Sequence, residues 1–385
     1  MWRAIASNAL TFLILLFLCV GAVVTWGKGQ YTAAGPLSEP TCLRIERGSN
    51  FRALSVQLAE QNIISYPSLF RMGAEYTDRS QDLKFGHFLL PSGISMEEIT
   101  AMVTSGGADT CGSEIVYRIG ITRDRVQVRE VDPANGRYVE QFSFELDTEP
   151  PQDFQELKLR DGVRHRIAFA EGITSFRVVE AIRNIDILTG DINEIPSEGS
   201  LAPDSFDIAP GGDRSGLLMR MQFEQAERIA KAWEQRDKDV PLATQDELLI
   251  MASIIEKETG VAGERGLVSS VFANRLLKGM PLQTDPTVIY GITQGKAPLG
   301  RGLRQSELRK DTPWNTYTNK GLPKTAIANP SMASLLAAGQ PETSDYIFFV
   351  ADGEGGHAFA TNLNDHNKNV AKWRKIEAQR KASGD

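Results

Sequence analysis

In the stretch from Thr244 to Gly260, the polar and apolar residues have the spacing of an amphipathic helix. At about 100° per residue, one broad arc contains the apolar residues Leu248, Leu249, Met251, Ala252 and Ile255. Thr244 and Glu247 have the spacing of a capping box, which satisfies the first free amides of a helix. Gly260 is a plausible terminator. The pattern therefore predicts a helix with a defined beginning and end.

Glu256 falls inside this apolar arc, between the directions of Ala252 and Leu249. Apolar surroundings remove water from an ionised carboxylate and so favour its protonated form, which a general acid requires. Lys257 points the opposite way, and Glu258 lies at the far margin. The pattern makes Glu256 a candidate acid. The alternative is a half-solvated glutamate at the rim of the helix, with no chemical role.

The amino-terminal segment carries no charged residue from Ala4 to Gly27. Such a length of apolar chain can span a bilayer, and Trp2 and Trp26 would lie at its two interfaces. We therefore expect a cytoplasmic end at 1–8, a transmembrane helix at 9–27 and a linker at 28–41. A signal peptide cleaved near Ala33 is the alternative. With so large a polar body after the span, we expect that body outside the cytoplasm.

The next segment, 42–111, predicts the order strand, helix, helix, strand, in which the second helix begins after Pro67 and the second strand ends before Pro91. A fainter copy begins near Ile167, so we expect a second βα module and a connecting long helix at 166–240. Both resemble LysM-like units, which elsewhere bind N-acetylglucosamine polymers. The alternative is two unrelated βα turns that each use glycine. Between the modules, 112–165 alternates like an inserted antiparallel β segment.

Residues 241–370 combine helical spacing with a predicted hairpin at 346–360. The charged residues 371–385 form a tail, and we expect the charged end from Lys368 to be a helix that frays. The expected fold class is therefore α+β, with a transmembrane helix, LysM-like βααβ modules carrying the β insertion, and an α+β catalytic domain. The net charge of −7 argues against nucleic-acid binding, which needs a basic surface.

Two of the three cysteines, Cys42 and Cys111, bracket the first module, whereas Cys19 lies in the apolar span. In an oxidising compartment such a pair forms a disulfide. Two buried free thiols are the alternative.

Signatures of cofactor chemistry are missing from the sequence. It contains no phosphate-binding loop, no dinucleotide fingerprint and no nucleophile elbow. The histidines, at 87, 165, 357 and 366, are scattered without helical metal-ligand spacing. We expect no cofactor and no metal, although His357 and His366 lie close enough in sequence to approach one site.

Neutral hydrogen-bonding side chains follow the candidate acid in the sequence. They suit the hydroxyls and acetamides of a sugar, and together with Glu258 the candidates are Gln283, Thr284, Asp285, Tyr290, Asn315, Thr316, Tyr317, Asn362 and Asn367. The alternative for each is an ordinary loop or turn residue.

Several of these stretches resemble motifs of the endolytic murein transglycosylase (YceG-like) family. They are Ala252–Thr259, Leu282–Gly291, Asn315–Tyr317, Gly321–Pro323, Phe349–Gly353 and Thr361–Leu363, with His366 and Asn367. They cover 244–370 densely and in order. Upstream, Glu198–Asp204 is similar to a motif that precedes the catalytic region of that family. The β segment 113–164 departs from the family pattern.

The resemblance implies a lytic transglycosylase anchored in the cell inner membrane, with a periplasmic catalytic domain. Such an enzyme cleaves the MurNAc–GlcNAc bond within nascent peptidoglycan strands and ends their synthesis beside the synthases. The essential acid of the family corresponds to Glu256. One rival is a hydrolytic muramidase that uses Glu258 or Asp285 as second carboxylate, although Glu258 diverges from Glu256 by about 160° on a helix. The other rival is a non-enzymatic peptidoglycan-binding scaffold.

Overall fold

The computed structural model describes residues 2–46, 48–105, 111–132, 137–160 and 163–383, which form a mixed α+β fold. The helices are α1 (Trp2–Thr32), α2 (Phe51–Glu60), α3 (Pro67–Tyr76), α4 (Met96–Thr104), α5 (Gln152–Leu157), α6 (Ser175–Asn184), α7 (Arg214–Glu234), α8 (Gln245–Glu258), α9 (Arg265–Leu277), α10 (Asp285–Thr293), α11 (Gln305–Leu308), α12 (Met332–Gly339) and α13 (Leu363–Ser383). The strands are β1 (Thr41–Ile45), β2 (Gly86–Leu90), β3 (Ser113–Ile119), β4 (Asp124–Asp132), β5 (Arg137–Glu145), β6 (Arg164–Phe169), β7 (Ser205–Ile208), β8 (Phe348–Ala351) and β9 (His357–Ala360). The α+β class is confirmed.

The chain divides into two compact units. The N-terminal unit contains Met1–Ile115, Gln127–Ser143 and Pro150–Arg164. The C-terminal unit contains Val116–Val126, Phe144–Glu149 and His165–Asp385.

Helix α1 includes a segment, Leu10–Thr32, that is long and apolar enough to cross a membrane. The helix ends five residues beyond the predicted span of 9–27, so it occupies the first part of the predicted linker 28–41. Packing explains the extension. The Tyr31 ring fills the space that a Cβ atom at Gly73 would need, and its hydroxyl donates a hydrogen bond of 2.9 Å to Thr100 Oγ1. These contacts hold the last helical turn against α3 and α4.

The segment 42–111 has the predicted order of strand, helix, helix and strand. Strands β1 and β2 pair antiparallel, with Leu43 opposite Phe88. The Asn50 side chain caps α2 by accepting a hydrogen bond of 3.0 Å from the Ala53 amide. Buried side chains from these four elements and from α4 form one core, including Leu54, Phe70 and Ile99. Its likeness to LysM units stays a proposal.

A disulfide joins Cys42 to Cys111 across 69 residues of sequence. Because a cross-link restricts the unfolded chain, replacing either cysteine with serine is expected to lower the free energy of unfolding by about 2–4 kcal/mol. Chemical denaturation measures the change. Cys19→Ser is the control and is expected to have no effect, because Cys19 is an exposed free thiol. Non-reducing peptide mapping that recovered Cys42 and Cys111 alkylated would contradict the pairing.

The strands of the predicted insertion and of the second module belong to a single sheet, in the order β5-β4-β3-β6-β7. Strands β6 and β7 pair antiparallel, with Ile167 opposite Phe206. The predicted boundary between the insertion 112–165 and the second module 166–240 therefore lies within one sheet and does not separate two sheets.

The second module also lacks the second helix that a βααβ copy requires. Residues 185–204 contain no helix. Gly190 and Gly199 adopt positive φ there, and Pro196 and Pro203 break helical hydrogen bonding.

Helix α8 is confirmed and lies in the core of the C-terminal unit, where Leu248, Met251 and Ile255 are fully buried. It begins at the cap that the sequence predicts, since Thr244 Oγ1 accepts a hydrogen bond of 3.2 Å from the Glu247 amide. It ends at an extended Thr259 rather than at Gly260.

The C-terminal helix extends across the predicted boundary at 370 between the catalytic domain and the tail. Helix α13 is continuous from Leu363 to Ser383. Its Ile376 side chain lies over Gly353, where an added Cβ atom would come within 2.8 Å of it. Much of the predicted tail 371–385 therefore continues a helix that packs on the loop between β8 and β9.

Candidate active site

The Glu256 carboxylate lies near the end of α8 and contacts the beginning of α12. Its Oε2 atom accepts hydrogen bonds of 2.8 Å from the Ser331 amide and 2.5 Å from the Ser331 hydroxyl. Ser331 also caps α12 by accepting a hydrogen bond of 3.2 Å from the Ser334 amide. The amide and hydroxyl of Ser331 therefore hold this carboxylate oxygen at the start of α12.

This environment differs from the apolar one that the helix pattern predicts. Ala252 and Ile255 are indeed buried, but Glu256 reaches past them to a polar helix start. Its Oε1 atom makes no hydrogen bond with the residues that the structure describes. One oxygen is thus fixed by two donors, and the other is available for a proton.

A tight loop after β6 packs against Glu256. Gly172 has φ +73°, and an added Cβ atom would lie 3.4 Å from Glu256 Cγ and 3.5 Å from Lys257 Cδ. Its amide donates a hydrogen bond of 3.0 Å to the Asn329 carbonyl, and the Asn329 amide donates one of 2.9 Å to the Ile173 carbonyl. This pairing joins the loop to the segment that precedes α12, with Glu256 beside it.

Gly172→Ala is expected to destabilise the protein by about 1–2 kcal/mol, because a Cβ atom disfavours left-handed backbone. Cleavage should also slow, since relaxation of the loop displaces the Glu256 side chain. Thermal unfolding and glycan turnover measure the two effects. Gly260→Ala is the matched control, because Gly260 lacks positive φ and an added Cβ atom there meets nothing within 4 Å. Equal behaviour of the two variants would contradict the role of Gly172.

Glu171, which the sequence analysis did not select, is a second carboxylate close to the candidate acid. Burial and the charge of Glu256 raise its pKa, and Arg265 lies 3.9 Å away. Glu171 lines a cleft of about 530 Å³ together with Asp204, Arg228 and Met332. The signal in the sequence is that Glu171 directly precedes Gly172, the glycine of the turn after β6.

Glu258 belongs to a separate polar cluster. The Thr284 hydroxyl donates a hydrogen bond to its carboxylate, and the Tyr317 hydroxyl donates one of 2.6 Å to Asp285 Oδ1. Burial raises the pKa of Glu258, and the Asp285 charge adds to the rise, while the Thr284 hydrogen bond opposes it. The structure brings together four of the predicted sugar-binding residues, Glu258, Thr284, Asp285 and Tyr317, and their binding of a sugar stays a prediction.

Asn315 and Thr316 have structural contacts instead of the expected exposure to a sugar. Both are buried. Asn315 Nδ2 donates to the carbonyls of residues 307, 308 and 310, and Thr316 Oγ1 lies 2.9 Å from Thr287 Oγ1. A loop without regular structure needs such side chains to satisfy its buried backbone groups. These two residues therefore shape the site without facing it.

The remaining predicted site residues are spread over the C-terminal unit. Gln283 is exposed beside Thr284, with φ +50°. Tyr290 donates a hydrogen bond of 3.2 Å to Glu198 Oε2. Asn362 caps α13 by accepting one of 3.0 Å from the Asp365 amide, and Asn367 is exposed on the same helix.

His357 has a carboxylate partner rather than a metal-ligand arrangement. Its Nδ1 atom lies 2.7 Å from Glu264 Oε2, and its amide donates to Glu264 Oε1 at 2.9 Å. Within the ranges that the structure describes, no group of three potential metal ligands occurs.

Glu198 is a partly buried carboxylate that accepts hydrogen bonds from Tyr290 and, at 2.8 Å, from the Ser175 amide. Burial raises its pKa. Its ionised form is therefore less favourable in the folded than in the unfolded chain, so its contribution to stability falls as pH rises from the unfolded to the folded pKa. Glu198→Gln should gain stability relative to the parent over that pH range, as melting curves would show. Glu194→Gln, at an exposed position nearby, is the control; a parallel shift at all pH values would contradict the linkage.

Comparisons with known proteins identify the family. The model of the YceG-like family matches residues 43–372. An endolytic murein transglycosylase of Bacillus subtilis strain 168 is 28% identical over 361 residues, covering 92% of this chain and 91% of that protein. One of Streptococcus pneumoniae serotype 2 is 27% identical over 339 residues, covering 85% of this chain and 57% of that protein.

Among solved structures, the 2.6 Å crystal structure of a yceG-like protein from Listeria monocytogenes is similar, with 24% identity and a TM-score of 0.46. The alignment covers 86% of this chain and 99% of that one. Because the family model matches most of the length of this chain, the chain belongs to the YceG-like family.

Proposed function

We propose that the chain is an endolytic peptidoglycan lytic transglycosylase that cleaves the MurNAc–GlcNAc β-1,4 bond and leaves 1,6-anhydro-MurNAc ends. The observation that carries the proposal is the Glu256 carboxylate, in which Ser331 fixes Oε2 while Oε1 has no hydrogen bond to any described residue. Membership in a family whose relatives are named endolytic murein transglycosylases supports it.

A single carboxylate can perform both proton transfers of this reaction. Glu256 Oε1 donates its proton to the glycosidic oxygen while the C1–O bond breaks and positive charge develops on the sugar ring. The ionised carboxylate then removes the proton of the MurNAc C6 hydroxyl, whose oxygen attacks C1. Water is not consumed. Ser331 stabilises the carboxylate during the interval in which it carries charge.

A hydrolytic muramidase would instead need a second carboxylate to activate water or to attack C1. Glu258 and Asp285 were the candidates, but their hydrogen bonds join them to Thr284 and Tyr317. Glu171, whose pKa responds to the charge of Glu256, is the carboxylate that such an enzyme would use.

Mass spectrometry of the products separates the possible functions. Purified sacculi are digested in isotopically labelled water with the full-length chain. Transglycosylation is expected to give anhydro ends without label. Reducing ends that carry the label would show a muramidase, and uncut strands would show a binding scaffold. Either result would overturn the proposal.

The same proposal places the enzyme in the cell inner membrane, anchored by α1, with the catalytic domain 241–370 in the periplasm. There it would end glycan elongation beside the peptidoglycan synthases, while the LysM-like module 42–111 contacts glycan. The full-length chain is then expected to stay with membranes after alkaline extraction and to keep its amino terminus. A soluble product that begins near Ala33 would show that α1 is a cleaved leader.

A further inference from the structure

A cavity of about 380 Å³ lies beside Lys257 in the C-terminal unit. Its walls are mainly apolar and include Ile173, Ile289, Pro298, Leu299 and Ile327. Nothing in the proposed proton transfers uses this space. An apolar cavity with one convergent charged group is the usual form of a small ligand site.

Lys257 lines the cavity, and no carboxylate pairs with it among the residues that the structure describes. The other two cations of the wall are neutralised, since Arg177 Nη2 lies 2.8 Å from both Asp124 oxygens and Arg301 lies 2.6 Å from Glu307. Lys257 Nζ makes a single long hydrogen bond of 3.4 Å, to the Gly172 carbonyl, and no ion pair within the described part of the chain.

Burial leaves this ammonium poorly solvated. It lowers the pKa of Lys257, while the charges of Glu256 and Glu198 act in the opposite direction. Glu198 is already held by the Ser175 amide and the Tyr290 hydroxyl. Because a desolvated cation is costly unless it is paired, a ligand carboxylate would complete the hydrogen bonding that Lys257 lacks.

The cavity also adjoins the candidate acid. Gly172 lines it, and a Cβ atom added at Gly172 would lie 3.4 Å from Glu256 Cγ and 3.5 Å from Lys257 Cδ. In peptidoglycan, the muramic acid whose C1 reacts also carries the peptide stem, through the lactyl group on its O3. The stem therefore begins on the same sugar ring as the reacting bond, and it contributes alanine methyl groups and free carboxylates.

We propose that this cavity binds the peptide stem of the reacting muramic acid, with a stem carboxylate on Lys257 and alanine methyl groups against the apolar walls. The inference rests on the proposed function. It makes the enzyme selective for strands that carry stems over strands from which an amidase has removed them. Denuded strands keep a free lactyl carboxylate, so the test must separate the two sources of negative charge.

Equilibrium binding tests the site without requiring turnover. Full-length Glu256→Gln protein is titrated with glycan oligomers of one length that carry stems, carry stems with amidated carboxylates, or are denuded. Lys257→Met is expected to weaken binding of the stem-bearing oligomer about tenfold or more, the size of a hydrogen bond between charged groups. Lys257→Arg should restore most of the loss, and Lys296→Met, an exposed lysine outside the cavity lining, should have no effect.

Two further comparisons give clear outcomes. The first compares ligands on the Glu256→Gln protein with Lys257 intact. Oligomers with amidated stems should bind to it as weakly as oligomers with free stems bind to the Lys257→Met variant. The loss caused by amidation tests the site even if Lys257→Met folds poorly. If Lys257→Met weakened the binding of denuded and of stem-bearing oligomers equally, Lys257 would be assigned to the lactyl group and the proposal would be overturned. Equal affinity for amidated and for free stems would also overturn it. Failure of the parent protein to release anhydro ends would refute the proposed function separately, because binding is measured independently.

Discussion

Glu256→Gln is expected to stop the release of anhydro ends while leaving the melting temperature close to that of the parent. Glutamine keeps the volume of the side chain, and its amide oxygen can still accept the hydrogen bonds of Ser331. It cannot donate a proton to the glycosidic oxygen or remove one from the C6 hydroxyl. The rate should fall by at least the factor of about 10²–10⁴ typical of general acid–base catalysis, and here one group serves both steps. Counting anhydro ends by mass spectrometry measures the loss.

Glu247→Gln is the matched control, because Glu247 lies at the other end of α8. Its carboxylate accepts a hydrogen bond of 2.6 Å from the Ala243 amide, which glutamine can preserve. Activity should therefore remain. A Glu256→Gln protein that unfolds like the parent and still turns over would show that another group is the acid.

The sequence was sufficient for the parts of the site that depend on local rules. Helix α8 follows from the spacing of its apolar residues and from the cap at Thr244, both of which act within a few residues. The same geometry predicted that Glu256 and Glu258 point apart. The structure gives them separate partners, Ser331 and Thr284.

The partners themselves could not be predicted, because they come from distant parts of the chain. Ser331 lies 75 residues beyond Glu256, and Lys257 donates to a carbonyl 85 residues before it. Periodicity places a side chain on a face of its helix but does not say which element covers that face. An apolar environment was therefore expected where a helix N-terminus lies.

Polar composition was an equally incomplete guide to ligand contacts. Thr284 and Asn315 both fit a sugar site by residue type. The structure uses Asn315 to bind three backbone carbonyls and Thr284 to bind Glu258. Whether a polar side chain satisfies its own loop or faces a ligand depends on tertiary burial. The extension of α1 to Thr32 has the same origin, since Tyr31 packs on Gly73.

Ser331 has two roles in the structure, as donor to Glu256 and as cap of α12, and substitutions can separate them. Ser331→Ala and Ser331→Gly both remove the hydroxyl donor but keep the amide donor. Loss of a hydrogen bond to a charged group costs about 1.5–3 kcal/mol, so both variants should cleave glycan at least tenfold more slowly than the parent. Glycine is a far better N-cap than alanine, so only the alanine variant should lose about 1 kcal/mol of unfolding free energy. Ser331→Thr keeps the hydroxyl and should stay close to the parent in both measurements.

Ser95→Ala is the control for cap loss alone, because Ser95 caps α4 in the N-terminal unit, whereas Glu256 belongs to the C-terminal unit. It should lower stability by about 1 kcal/mol and leave turnover unchanged. If Ser331→Gly kept full activity while Ser331→Ala lost it, the effect of Ser331 would pass through the stability of α12 and not through its hydrogen bond to the acid. Equal losses of activity in the two variants, with unequal losses of stability, are therefore the result that assigns Ser331 to the positioning of Glu256.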